Sequence, residues 1–328
     1  MILKLALVML GFLTLILAVF YAWATSGSYP QENYTDILTY NVDSSDVGSN
    51  TLSLVSYNIG YLSGLTNQEA VERPKTLFDD NLTTVIAKLR DINADIIAFQ
   101  EIDIDSKRSY NVNQLQVLAK GLGLANAGLA INWNKNYVPF PYWPISIHFG
   151  KIVSGQAVLS RYPILENQRI VLDKVESRPF FYNAVYLDRL AQVTKIEIND
   201  RTLVVINVHL EAFDNPTRFK QTRAVLELAE TYAKDYPVLL IGDFNSALNR
   251  PEEGQRSIGI VAASKLFSSA QPQERWISQP TFPSEPSLHK LDYLFYTTAT
   301  IELKETRVIP EVGTASDHLP IMMTFTLK

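Results

Sequence analysis

Apolar residues in this chain fall into short runs of two kinds. Val238-Leu-Leu-Ile241 is continuous, the mark of a strand buried on both faces, and Gly242-Asp-Phe-Asn245 follows it. Thr51–Asn58 alternates apolar with polar, and Ile96-Ile-Ala-Phe99 is again continuous before Gln100-Glu101. Leu124–Trp133, Ile152–Ser160, Phe181–Leu187, Leu190–Ile198, Thr202–Leu210, Lys290–Tyr296 and Ile321–Leu327 read as further strands. Asn199-Asp200 is a tight hairpin turn between two of them. Helical spacing covers Lys75–Ile92 behind Pro74, Val112–Lys120 closed by Gly121 and Gly123, a segment capped by Asn215-Pro216 and running through Ala233, and a stretch near Ile258–Phe267. Helices alternate with strands early and late, and hairpins fill the middle. That order predicts an α/β fold with mixed sheets, packed as a two-sheet sandwich with helices outside.

The N-terminus breaks this pattern. Leu5–Ala24 is apolar throughout, and a bilayer-spanning helix needs about 20 such residues. A cleaved signal peptide, whose apolar core runs only about 7–15 residues, competes because Ala22-Trp23-Ala24 fits the small-x-small cleavage pattern. The length, with Tyr21 and Trp23 as interfacial residues, favours an uncleaved anchor. Lys4 precedes the segment, while Glu32, Asp36, Asp43 and Asp46 follow it, so the positive-inside rule leaves the body of the protein outside the cytoplasm. If residues 1–24 are cleaved, the product is secreted to the same side. Residues 25–50 read as a polar linker with a short ordered piece at Tyr34–Tyr40, and residues 51–328 as one domain.

Composition narrows the partners. With 328 residues, 47% of them hydrophobic, the chain has ample material for a core, and its net charge is −5. There is no Lys/Arg stripe of the kind that tracks a nucleic-acid backbone. With no cysteine, disulfides and thiolate metal sites are excluded. Tyr137–Ile145 packs aromatics between prolines and cannot be regular structure. It reads either as a loop folded onto the core or as a surface facing substrate or membrane.

The polar residues carry the chemistry. Asn58, Glu101, His209, Asp243, Asn245 and Asp292 each end an apolar strand, and Asp317-His318 follows a loop. Any one of them alone would be a turn or a cap. Together they supply oxygen ligands and imidazoles without thiols, which suits a hard divalent cation.

Six short stretches then carry a resemblance: Ser56-Tyr-Asn58-Ile, Phe99-Gln-Glu101, Asn207-Val-His209-Leu, Gly242-Asp-Phe-Asn245, Leu291-Asp292-Tyr and Ser316-Asp-His318-Leu-Pro. In this order they resemble the endonuclease/exonuclease/phosphatase superfamily, the DNase I-like fold, over roughly Thr51–Lys328. The resemblance implies a four-layer α/β/β/α sandwich and a metal-dependent phosphoric ester hydrolase. It implies Glu101 as the principal Mg²⁺ ligand (Mn²⁺ being a substitute), with Asn58 and Asp317 close to the metal or phosphate. Asp243 would orient or deprotonate the attacking water, and Asn245 would hold it. His318, oriented by Asp292, would contact the phosphoryl group, and His209 would bind another oxygen. Either His318 or Asp243 is then the general base. Some members of that family place an acidic residue two positions after the first Asn, where this chain has Gly60.

The anchor, the acidic charge and the aromatic loop point to a phospholipid or other membrane-associated phosphoester rather than nucleic acid. A nuclease is the alternative substrate reading, and a non-catalytic binding protein of the same fold is the alternative class. No protein partner is expected.

Overall fold

A computed structural model describes residues 1–42, 50–67, 69–250 and 257–328. Asp43 and Asp46, counted above among the acidic residues after the apolar segment, lie outside the described residues. In chain order the elements are α1 (Ile2–Thr25), β1 (Thr35–Thr39), β2 (Leu52–Asn58), α2 (Lys75–Ile92), β3 (Ile96–Asp103), α3 (Gln114–Leu122), β4 (Asn126–Val138), β5 (Gly150–Ser160) and β6 (Ile164–Val171). These are followed by α4 (Phe180–Asn183), β7 (Leu190–Ile198), β8 (Arg201–His209), α5 (Asn215–Tyr232), β9 (Val238–Asp243), α6 (Ile258–Ala262), β10 (Phe267–Ser269), β11 (Asp292–Thr297), β12 (Ile301–Val308) and β13 (Ile321–Leu327).

The strands form two sheets, ordered β1-β4-β5-β3-β2-β13-β12 and β10-β11-β9-β8-β7-β6. The β2–β3 and β8–β9 pairs are parallel, crossed over by α2 and α5, and the remaining neighbours are antiparallel. Side-chain alternation on β9 shows why the sheets stack. Val238 and Leu240 face a cluster with Val225 and Ala229 of α5, while Leu239 and Ile241 face a cluster shared with Leu54, Ile96 and Val158 of the other sheet. On the far side, Val85 and Leu89 of α2 and Leu115 and Leu118 of α3 cover Tyr57 and Phe99. The layers therefore run α/β/β/α, as expected.

A line of buried amides crosses the space between the sheets just below the ends of β3 and β8. Gln100 Nε2 donates to Asn207 Oδ1 (2.6 Å), and Asn207 Nδ2 donates to Phe99 O (3.0 Å) and Gln192 Oε1 (3.2 Å). Gln192 Nε2 then donates to Asn167 Oδ1 (3.0 Å) and Gly128 O (2.9 Å). Asn207 thus joins the sheets rather than serving the chemistry.

Several elements differ from the reading of the sequence. Phe181–Leu187 is not a strand: behind Pro179 the chain turns helically, and Tyr182 and Tyr186 stack at 5.3 Å with Tyr186 N donating to Tyr182 O. Aromatics four apart stack along a helical turn as readily as they line a strand. The helix expected near Ile258–Phe267 stops at Ala262, and Phe267–Ser269 pairs with β11. Asp214, not Asn215, caps α5, its carboxylate accepting from Thr217 N at 2.9 Å. The strand β6 is new, with polar residues on both faces as befits an edge. The short ordered piece of the linker forms β1 and extends the first sheet beside β4.

The helix α1 is long and apolar enough to cross a membrane. Its end is not loose. Lys135 Nζ donates to Thr25 O (2.9 Å), Asn136 Nδ2 to Trp23 O (3.1 Å), and the Phe20 and Trp23 rings meet Tyr137 at 5.7 and 6.5 Å.

Candidate active site

Strand registry places the second sheet's polar residues on one transverse line. His209 pairs with Asp243 across β8–β9, and Asp243 pairs with Asp292 across β9–β11. Gly242 permits this packing. Its φ is +128°, and a Cβ there would lie 2.1 Å from Val208 O. Gly242→Ala is expected to destabilise the fold by roughly 2–6 kcal/mol, combining backbone strain and overpacking, measured as a lowered midpoint in denaturant unfolding. A midpoint equal to that of the unmodified protein would refute this account of the turn.

The first sheet and the loop before β13 supply the rest. Asn58 Nδ2 donates to Asp243 Oδ2 (3.0 Å) and Glu101 Oε1 (3.2 Å), linking the halves. Glu101 sits at φ +53°, at an irregularity between Phe99 and Ile102 that turns its side chain toward the cleft. Asn245, also left-handed at φ +50°, donates its backbone N–H to Asp243 Oδ1 (2.8 Å) and its amide to Leu210 O (3.0 Å). All eight residues singled out in the sequence meet at this one place: Asn58, Glu101, His209, Asp243, Asn245, Asp292, Asp317 and His318.

Their electrostatics differ. Burial pushes Asp243 up to about 6, against the pull of the His318 charge. Asp317 is likewise raised to about 6, by burial and then by Glu101, again opposed by His318. His318 Nδ1 lies 2.9 Å from Asp292 Oδ2, and although burial opposes its charge, Asp292 and Asp243 raise it to about 10. It is therefore an imidazolium at neutral pH. His209 is lowered well below its ordinary value by burial, then by Arg189 and His318.

Two participants escaped the sequence reading. Arg189, just before β7, is buried and places Nη1 2.6 Å from His209 Nε2. A guanidinium only donates, so Nε2 accepts and the ring is neutral with its proton on Nδ1. The nitrogen expected to face a phosphoryl oxygen is thus engaged by Arg189, which holds the permanent cation at that wall of the cleft. Its signal was faint: a charged residue directly before an apolar run. Asn67 is the other. Its Nδ2 lies 3.3 Å from Glu101 Oε2 and 3.2 Å from Asp317 Oδ1. It fills the space beside Gly60, whose added Cβ would meet Asp317 Oδ1 at 2.8 Å and Asn67 at 3.3 Å.

The donor set fits a hard divalent cation. Two carboxylates converge on one amide, with Asn58 and Asn67 beside them and no thiol. Asp243, Asp292 and His318 also bring ligand atoms within 4.8 Å of one another. However, Asp292 Oδ2 is already bonded to a ring held as imidazolium, so Asp292 and His318 are a hydrogen-bonded pair, with Asp243 Oδ2 3.8 Å from His318 Nε2. Glu101 and Asp317 are the better cation ligands.

Glu101, His209, Asp243, Asn245, Asp317 and His318 line a cleft of about 880 Å³, together with Phe20, Tyr21 and Ala24 of α1, and Asn58 and Asp292 bond to them from behind.

The comparisons agree with this geometry. No curated protein matches the chain. Among solved structures, an endonuclease/exonuclease/phosphatase from Beutenbergia cavernae is 19% identical, with a TM-score of 0.62 over 84% of this chain and 72% of that one. Humanized D. rerio TDP2 is 16% identical, with a TM-score of 0.60 over 85% of this chain and 100% of that one. The human Nocturnin catalytic domain with bound sulfate is 16% identical, with a TM-score of 0.58 over 92% and 100%. These likenesses establish the fold. The Endonuclease/Exonuclease/phosphatase family, whose members are typically hydrolases of phosphoesters, matches residues 38–318, and this chain belongs to that family.

Proposed function

We propose that this protein is a Mg²⁺-dependent phosphodiesterase, Mn²⁺ substituting, tethered by α1 outside the cytoplasm and acting on a phospholipid or other membrane-associated phosphoester. The observation that carries the reading is the convergence of Glu101, Asp317 and Asn58 with Asp243, His209 and the Asp292–His318 pair at one cleft. In this reading residues 1–24 are the anchor, 25–50 connect it to the body and contribute β1, and 51–328 are the catalytic domain.

A bound divalent ion would supply charge neutralisation at the phosphoryl oxygens, held by Glu101 and Asp317 with Asn58 and Asn67 alongside. The side chains account for the rest. Asp243, ionised above about pH 6, takes the proton of the attacking water, and Asn245 holds Asp243 in place through its two hydrogen bonds. His318 already carries its proton, so it is the donor to a phosphoryl oxygen and Asp243 is the base. Asp292 fixes the ring and stabilises its charge. Arg189, oriented by His209, presents a cation to a second oxygen.

The test is a substrate panel of a soluble diester, phospholipid vesicles and plasmid DNA, each run with Mg²⁺ and with chelator. Diester hydrolysis and headgroup release are expected with metal only, and both are lost in His318→Ala. Plasmid nicking without headgroup release would replace the lipid reading with a nuclease. Hydrolysis of nothing, or full activity in His318→Ala, would overturn the assignment.

A further inference from the structure

The mouth of the cleft is apolar and exposed. Tyr142 and Trp143 are 70% and 75% exposed, Phe180 78%, and Phe181 and Phe213 56% and 65%. Tyr142, Phe181 and Phe213 line the cleft that also holds Asp243 and His318, while Trp143 and Phe180 do not line it and adjoin Tyr142 and Phe181 in the chain. Large apolar side chains gathered around one opening are a surface that seeks a partner.

The partner is indicated by α1. Its last turns, through Phe20, Tyr21 and Ala24, form part of the wall of the same cleft. Hydrogen bonds from Lys135 and Asn136 and the ring contacts with Tyr137 clamp the helix end to β4. The mouth is therefore fixed beside the point where the helix leaves the bilayer. A helix of 24 residues is about 36 Å long at 1.5 Å per residue, against a hydrocarbon core of about 30 Å. Its final turn, with Tyr21 and Trp23, then lies among the headgroups, where such side chains anchor. Tyr142, Phe181 and Phe213 share one cleft with that turn.

We propose that an aromatic lip, formed by Tyr142, Trp143, Phe180, Phe181 and Phe213, inserts into the bilayer that α1 spans. The cleft then receives a phospholipid sideways from that leaflet, its acyl chains remaining in the membrane. The alternative route, extraction of a lipid into water, exposes every CH₂ of two long chains, which costs more than one cleft can return. A mouth in the membrane plane avoids that cost. This rests on the phosphoesterase reading above and adds to it how the substrate arrives.

Because the chain has no cysteine, a single Trp143→Cys or Phe180→Cys can carry one environment-sensitive fluorophore on the full chain in phosphatidylcholine–phosphatidylglycerol vesicles. Both labels are expected to shift to the blue and to be quenched by nitroxides on the acyl chains. A label at Lys304→Cys on β12, the sheet edge opposite β1, stays aqueous. Trp143→Ser/Phe180→Ser is expected to lose 10-fold or more of headgroup release while hydrolysing a soluble diester at the unmodified rate. Aqueous labels at 143 and 180, or equal losses on both substrates, would overturn the lip while leaving the phosphoesterase standing. Inserted labels with no hydrolysis of either substrate would instead sink the phosphoesterase reading, and lipid entry with it.

Discussion

Replacing Asp243 by Asn is expected to lower kcat by about 10²–10⁴-fold while making the metal-free protein more stable at neutral pH. The first half follows from removing the proton acceptor, a loss that general-base catalysis places in this range. The second half follows from burial. Asp243 is raised in the folded chain to about 6 from an ordinary 3.8, so the folded state binds its proton more tightly than the unfolded state does. A raised carboxylate contributes stability that is present below the unfolded value and lost as pH climbs through the folded one. A shift of about two units corresponds to on the order of 3 kcal/mol, which Asn, uncharged at every pH, does not lose. Denaturant unfolding in chelator should therefore show little difference between the two proteins near pH 4 and a growing advantage for Asp243→Asn up to pH 7. An advantage independent of pH would refute the burial argument, and retained activity would refute the assignment of the base.

Glu101→Gln is the second large effect. Its carboxylate is the more solvent-facing of the converging pair, with a side-chain exposure of 24%. It presents one oxygen to Asn58 and the other to Asn67. An amide in its place keeps the shape and removes the charge. Calorimetric affinity for Mn²⁺ is expected to fall by at least about 100-fold and kcat by about 10³-fold, since loss of a ligand outweighs loss of a supporting group. Unfolding should barely change, because no buried ion pair is broken. Unaltered Mn²⁺ affinity would move the cation to another set of residues.

Legibility in the sequence followed the physics of each segment. Lys75–Ile92, Leu190–Ile198 and Ile321–Leu327 are elements with the bounds read from their patterns, because each buries a continuous face. The site was visible for the same reason: a polar residue closing an apolar strand has few places to go except the sheet end. What escaped lacked that contrast. Ile164–Val171 mixes polar and apolar positions because it lies at an edge. Phe180 and Phe181 belong to an exposed turn whose composition imitates a core strand. Arg189 and Asn67 reach the cleft from a strand start and a loop, positions that no periodicity marks. Asn207 and His209, two apart, lie on the same face of β8. Only the opposing sheet decides that one meets Gln100 and the other the cleft.

The line of amides between the sheets constrains how this protein can change over time. An apolar interface tolerates drift, since one methyl group can be traded for another and neighbours relax around it. Gln100, Asn207, Gln192 and Asn167 have no such freedom. Each satisfies its neighbour, so altering one strands a donor or acceptor in a dry space at a cost of about 1–3 kcal/mol, whereas replacing partners together by apolar groups can be nearly neutral. Substitution along this line therefore proceeds in pairs or not at all, and kinship among distant members should be traceable in which amides are kept as a set.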